Sequence, residues 1–507
     1  MHLLVIGIDG VTKEIIDNMP MTFTQSLFKG ASYKILEVDL ISRGWAKALT
    51  GRLTSENKRF YLMPFSDQTY DFNHAYSKEI MVSESPNESL WSMLNNKGVR
   101  VGIVNVPTAG PAPDVNGFIK SGGGGGLGSI GDIPANMYHP RSIEAILRKH
   151  NYIIDIRPPG GCKTVSEFIR KITDAVVAQK NTFIELTSKE KPGFGFYCFR
   201  ITTSIQYLAR YEIDRCLDGI NKDKENRIEF KAENTIQENL VNHYKMLDES
   251  IKEMFDSLNP KQYLFIGDHS TALYKKDLNL DVWLESHNLL QVMNKYERIF
   301  NRLGNYLSKK LLKLTNYTSN KKSVRKPMTR FKASKTQAFG TFYDFGNFAG
   351  VFINDSKRFG GPICSETEVE ILVNDIYSKF NDDPLTQSHH LYAKPFQKLN
   401  KNSRFSHLFP DIQITKPDKT YSSGRYWEFI PDNPNLTLLE DEIEDKKYPY
   451  TGIKGSDPLF IYSKGLEKYI QTDDQNDLTL VYKIIDRYFS RNTLHDKRTG
   501  LKRIKAN

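Results

Sequence analysis

Cysteine is scarce in this 507-residue chain. Cys162, Cys198, Cys216 and Cys364 stand far apart and form no CxxC pair. That spacing argues against a disulfide framework or a zinc knuckle and fits reduced thiols. Long apolar runs are missing as well: no stretch reaches the roughly 18 residues that a transmembrane helix requires. Met1-His2 leads directly into apolar sequence, with no basic n-region and no small-residue cleavage site. A cytoplasmic location is the expectation. No internal repeat is visible, and the one glycine-rich run lacks the Lys-Ser/Thr of a nucleotide P-loop.

What is present describes a packed globule. Apolar residues make up 39% and aromatics 12% of the chain, too many for disorder. The length allows two or three domains, or one large domain with an insertion. A net charge of +10 favours anionic partners: phosphorylated molecules, nucleic acid or anionic lipid headgroups. The charge is uneven, because 309–335 carries ten lysines or arginines and no acid.

Leu3 to Ile8 is a continuous apolar run, as expected of a strand buried on both faces of a parallel sheet. It ends at Asp9-Gly10. Tyr263 to Ile266 is a second such run, and it ends at Gly267-Asp268-His269. Asp-His after a strand and a glycine places two ligands at the carboxyl edge of a sheet, where open α/β folds bind their ligands. Between these runs, Tyr33 to Leu40, Val99 to Val106 and Gly195 to Arg200 read as strands. Leu90 to Asn96, Leu240 to Phe255 and the segment after Ser204, with Ile205, Tyr207, Leu208 and Tyr211, read as helices. Ser42 stands where a helix N-cap belongs, before Trp45, Ala46, Leu49 and Gly51. A hydroxyl there has free N–H groups beside it and suits a nucleophile that must hold an anion. The pentaglycine Gly122 to Gly126, with Gly122, Gly123 and Gly124 first, could bring backbone N–H groups close to a ligand. Ala349 to Asn354 and Leu459 to Tyr462 read as later strands, and Glu440 to Asp445 as an acidic loop.

Taken in order, these pieces resemble the alkaline phosphatase superfamily, in particular its type I phosphodiesterase/nucleotide pyrophosphatase branch. The resemblance runs from about Leu3 to Gly465. Its fragments are Val5-Ile6-Gly7-Ile8-Asp9-Gly10, Ser42…Trp45…Thr50-Gly51, Val104-Asn105-Val106-Pro107, Asn116-Gly117-Phe118 with Ser121-Gly122, Gly267-Asp268-His269, Lys335-Thr336-Gln337-Ala338-Phe339 and Phe352-Ile353-Asn354. It implies a three-layer α/β/α sandwich with a mostly parallel central sheet and inserted cap or lid segments. The expected division is 1–270 for the first part of the core and 271–335 for a basic lid. The remainder of the core would be 336–480, followed by a basic tail, 481–507.

The resemblance also implies site residues. Asp9, Ser42, Asp268 and His269 match the ligands of one metal, with Ser42 as nucleophile. The family spacing lands on Ile41, which has no hydroxyl, and a shift of one residue gives Ser42. The family's second-metal positions fall on Thr203, Tyr207 and Lys454, which cannot together hold zinc. The expectation is therefore one divalent ion, Zn, Mn or Mg, with Arg43 or Lys454 replacing some of the missing charge. The activity implied is hydrolysis or transfer at an anionic phosphate ester. No Cys/Ser-x-Pro-x-Arg sulfatase signature is present. Two other readings compete: an inactive descendant that binds a phosphorylated ligand or a partner, and, ranked last, a nucleic-acid-binding protein using 309–335. That stretch has only Tyr317 and Phe331 as aromatics and no groove-reading motif. Oligomeric state is not legible.

Overall fold

The structure is a computed structural model. It describes residues 1–37, 44–53, 56, 89–122, 134–156, 161–226, 231–294, 296, 331–340, 349–396, 407, 409–416, 421–423, 428–434, 436 and 450–504. The chain divides into two compact units. The first comprises Met1–Arg59, Tyr76–Leu273 and Pro434–Asn507; the second comprises Phe60–Ala75 and Tyr274–Asn433.

In the first unit the strands are β1 (Leu3–Ile8), β2 (Ala31–Tyr33), β3 (Val101–Val106), β4 (Gly117–Ser121), β5 (Tyr138–His139), β6 (Phe194–Phe199), β7 (Gln262–Ile266) and β8 (Ser270–Leu273). The second unit holds β9 (Lys276–Leu278), β10 (Ala338–Gly340), β11 (Ala349–Ile353), β12 (Tyr392–Pro395), β13 (Ile412–Thr415) and β14 (Tyr421–Ser423). The chain then returns to the first unit with β15 (Gly452–Gly455) and β16 (Phe460–Ser463).

Eight strands of the first unit form one sheet in the order β2-β16-β7-β1-β6-β3-β4-β5. The central neighbours β7, β1, β6, β3 and β4 are parallel; antiparallel pairs stand at the two ends. Every residue of β1, β3 and β6 is buried, which is why these strands are apolar without alternation. The pleat sends Leu4, Ile6 and Ile8 to one face, against helices Val165–Glu190, Thr202–Asn226 and Thr235–Leu258. It sends Leu3 and Val5 to the other, against helices Gly44–Thr50, Leu90–Asn96 and Thr479–Ile504. The first unit is thus the expected α/β/α sandwich around a mixed, mostly parallel sheet. The second unit has a four-stranded antiparallel sheet, β10-β11-β13-β12, and helix Glu366–Asp382. That helix opens with a reciprocal capping box between Ser365 and Glu368. No helix among the described residues is long and apolar enough to cross a membrane.

Several boundaries differ from the sequence reading. The strand expected at Tyr33 to Leu40 is the short edge strand β2. Glu37 N–H donates to Asn476 C=O, so the chain has already left the sheet there. The second unit extends to Asn433, so much of 336–480 lies outside the sandwich, while 271–273 lies inside it, pairing as β8 with β15. The expected tail is instead a core helix: Leu480, Val481, Ile484 and Ile485 are buried against the sheet. The strands expected at Val99 to Val106 and Gly195 to Arg200 run Val101–Val106 and Phe194–Phe199. Most of the basic stretch 309–335 and all of Glu440 to Asp445 lie outside the described residues.

Two measurements check this packing. Ile484→Ala should lower the stability of the first unit by about 2–5 kcal/mol in denaturant unfolding, as expected for truncating a fully buried aliphatic side chain. Arg487 of the same helix donates to both oxygens of Asp474, at 2.5 and 2.8 Å, and holds that carboxyl down to about 2 from its ordinary 3.8. A depressed carboxyl contributes its full stabilisation above pH 4 and loses it as pH falls toward 2. Asp474→Asn should flatten that part of the acid limb in thermal unfolding against pH.

Candidate metal centre

Strand register builds the site. β1 pairs in parallel with β7, Gly7 opposite Ile266, and with β6, Ile8 opposite Phe199. Two residues past Gly7 and Ile266 stand Asp9 and Asp268; one past Phe199 stands Arg200. Three adjacent strands therefore deliver Asp268, Asp9 and Arg200 side by side at the carboxyl edge of the sheet, where ligand sites form in open α/β folds. A parallel bridge between Gly10 and Ser270 continues the pairing, and Thr271 Oγ1 donates to Gly10 C=O at 2.9 Å.

Asp9, Asp268 and His269 each offer a ligand atom, all within 4.8 Å of one another, and all three residues are buried. His269 Nδ1 lies 2.7 Å from Ser270 C=O. A carbonyl only accepts, so Nδ1 carries the proton and Nε2 presents its lone pair. That nitrogen is 3.5 Å from Asp268 Oδ1. Burial, partly offset by Asp268, holds the His269 ring down at about 4, so it is neutral and able to ligate at neutral pH. Burial and then the neighbouring Asp268 push the Asp9 carboxyl well above its ordinary value, against the pull of Arg200 and Lys454. Two carboxylates this close in a buried place want a cation between them. Two oxygen donors and one imidazole suit Zn, Mn or Mg, so the donor set fits a divalent ion.

Glycines make room for these groups. A Cβ on Gly7 would lie 2.7 Å from Cys198 Sγ and 2.8 Å from Trp45 Cη2. Trp45 can therefore pack over β1 and donate its indole N–H to Asp9 Oδ1 at 3.3 Å. Gly44 lies against Asp268: a Cβ there would sit 2.6 Å from Asp268 Cβ and 2.7 Å from its carbonyl oxygen.

The other sequence candidates fall as follows. Tyr207 stacks on His269, ring centroids 6.2 Å apart, with its hydroxyl 3.4 Å from Nε2. Thr203 is buried at the start of helix Thr202–Asn226, and its hydroxyl meets no hydrogen-bond partner among the described residues. Lys454 is buried on β15 opposite Thr271, and its charge acts on both Asp9 and His269. Gly122 does not offer its N–H to a ligand, because that group already donates to Val106 C=O at 3.0 Å. Its lack of a side chain serves close packing on Asn105, where a Cβ would lie 2.3 Å from the carbonyl oxygen. Ser42, Arg43, Gly123 and Gly124 lie outside the described residues. Sequence reasoning passed over Arg200, whose Nε is 3.3 Å from Asp9 Oδ2, and Asp155, 4.0 Å from the same guanidinium. A cation one residue past a buried strand was the available signal for Arg200; Asp155 gave none.

A parallel-sheet sandwich with a buried Asp/Asp/His centre at its carboxyl edge defines the class. No protein-family model matches the chain, and no curated protein matches it by sequence. Solved structures do. Phosphonoacetate hydrolase from Sinorhizobium meliloti 1021, in complex with phosphonoacetate, superposes with a TM-score of 0.50 at 10% identity, covering 96% of this chain and 95% of that one. Murine ectonucleotide pyrophosphatase/phosphodiesterase 5 superposes with a TM-score of 0.45 at 9% identity, covering 97% and 95%. The likeness is one of fold: an α/β sandwich around a mostly parallel sheet, as in alkaline-phosphatase-like structures.

Gly44→Ala should displace Asp268. Isothermal titration with Mn²⁺ or Zn²⁺ is expected to show affinity at least about tenfold lower than wild type, the range in which disturbing the support of a metal ligand usually falls. Unchanged affinity would mean that Asp268 does not bind the ion.

Proposed function

We propose that this chain is a metal-dependent phosphoesterase that acts on an anionic phosphate ester or diester through a serine nucleophile and one divalent ion. The observation that carries the reading is the buried convergence of Asp9, Asp268 and His269 at the carboxyl edge of an alkaline-phosphatase-like sheet. These three residues would hold the ion. A divalent ion there supplies Lewis-acid neutralisation of charge on the phosphoryl group and favours the deprotonated serine.

The remaining work belongs to the chain. Ser42, two positions before helix Gly44–Thr50 in the sequence, would attack phosphorus. Trp45 holds Asp9 in place through its indole N–H. The Ser270 carbonyl, accepting from Nδ1, fixes the orientation of His269. Lys454 adds a fixed positive charge beside Asp9 and His269. Thr203, Tyr207 and Lys454, the positions matched to a second ion, supply neither carboxylate nor imidazole, which supports a count of one. Reduced thiols support a cytoplasmic setting, and the positive net charge suits a phosphorylated substrate.

An aryl phosphodiester assay with added Mn²⁺ or Zn²⁺ tests the reading. Turnover should require metal, and Asp268→Asn and Ser42→Ala should each lower kcat/KM at least about 100-fold with an unchanged circular dichroism spectrum. Metal titration should give one ion per chain. Two tightly bound ions would refute the single-ion centre. Absence of turnover with metal bound would point instead to a non-catalytic phosphate-binding protein.

A further inference from the structure

We propose that Arg200 is a substrate-binding arm of this centre: braced by Asp155 and Asp9, its guanidinium grips the phosphoryl oxygens beside the metal ligands. The nature of the ligand rests on the phosphoesterase reading; the placement of the arginine does not.

Register sets Arg200 next to Asp9 on the side away from Asp268, because β6 lies across β1 from β7. Its side chain keeps 16% of its surface accessible, so it is recessed but reachable. Its two ion pairs are long, 3.3 Å to Asp9 and 4.0 Å to Asp155. Charge-assisted N–H···O bonds run at about 2.7–2.9 Å. The guanidinium has five donors, and neither of these contacts saturates it. Among the described residues it is held by charge and keeps donors for a ligand.

Asp155 explains why the arginine stays. It is 1% exposed, and neither carboxylate oxygen accepts a hydrogen bond among the described residues. A carboxylate buried in that way is costly unless a cation remains beside it. Asp155 therefore anchors the charge of Arg200 without consuming its donors.

The charge balance points to an anion. With Asp9, Asp155 and Asp268 all ionised, as a bound cation would leave them, they outnumber Arg200 and Lys454 by one charge among the described residues. A divalent ion turns that into one excess positive charge, which suits a phosphate group. The planar fork of an arginine matches two phosphoryl oxygens at once, which an ammonium cannot do.

Calorimetric titration of inorganic phosphate tests the assignment, using wild type, Arg200→Ala, Arg200→Lys and Asp155→Asn, each metal-free and loaded with Mn²⁺. In the loaded protein Arg200→Ala should weaken phosphate binding at least about tenfold. Its Mn²⁺ affinity should stay equal or rise, since a like charge has left the ligand cluster, and normal Mn²⁺ binding also reports a folded site. Arg200→Lys should recover only part of the phosphate affinity, and this variant carries the test if the alanine variant does not fold. Asp155→Asn should fall between wild type and Arg200→Ala, and millimolar guanidinium should restore phosphate binding to Arg200→Ala. Wild-type phosphate affinity in both Arg200 variants, or no phosphate binding by wild type, overturns the proposal. If wild type neither binds Mn²⁺ nor turns over the diester, the functional reading fails by itself. The arginine assignment then stands on whether metal-free wild type holds phosphate more tightly than Arg200→Ala.

Discussion

Two buried carboxylates, Asp9 and Asp268, are brought together by the register of adjacent parallel strands, and much of the first unit answers to that juxtaposition. Like charges in a low-dielectric setting cannot both ionise without a compensating cation. Burial first, and then the neighbouring Asp268, raises the Asp9 carboxyl above its ordinary value. His269 is kept neutral with one nitrogen tied to Ser270, Trp45 donates to Asp9, and Arg200 and Lys454 bring positive charge from two other strands or strand ends. Each arrangement is consistent with a site for one divalent ion.

Such a site requires rigid support, and the sandwich provides it through close packing. β1 is covered on both faces, so its terminal aspartate has little freedom. Gly7 and Gly44 act where a single methyl group would push Trp45 or Asp268 away. The helix Thr479–Ile504 closes the face on which helix Gly44–Thr50 packs, so residues near the carboxyl end of the chain support a segment near its start.

The central strands were legible because burial on both faces writes itself as an unbroken apolar run; β1 and β7 end where the sequence says, and Asp9, Asp268 and His269 follow. Helix Leu90–Asn96 was legible to the residue, and the long helix expected at Leu240 to Phe255 gains a turn or so at each end, Thr235–Leu258, through its Asn234 cap. The unit boundary was misread because composition stood in for contacts. The basic stretch suggested a lid ending near Lys335, while short strands such as Ala338–Gly340 and Ile412–Thr415 carry too little pattern to reveal a second sheet. The many charges of 481–507 likewise hid the apolar stripe of Val481, Ile484 and Ile485. Gly122 looked like a ligand loop because sequence cannot show that its N–H is already bonded. Arg200 was passed over for a related reason: its importance comes from Asp9, 191 positions earlier, and from Asp155, and no local pattern encodes either pair.

On the proposed reading, the chain-borne cations also bear on the number of ions. A unit charge 4 Å from another interacts by about 4 kcal/mol at an effective dielectric of 20. A guanidinium 3.3 Å from Asp9 therefore already brings positive charge to that carboxylate. Lys454 adds to that charge, since its field acts on Asp9 and His269 alike. Tyr207 stacks on the His269 ring with a neutral aromatic. A second ion would face two fixed positive charges and donors of the wrong chemistry. A phosphoryl group would meet the same two charges as attraction. The features that disfavour another metal are thus the ones that favour an anionic substrate, and they do so with charges that the fold itself holds in place.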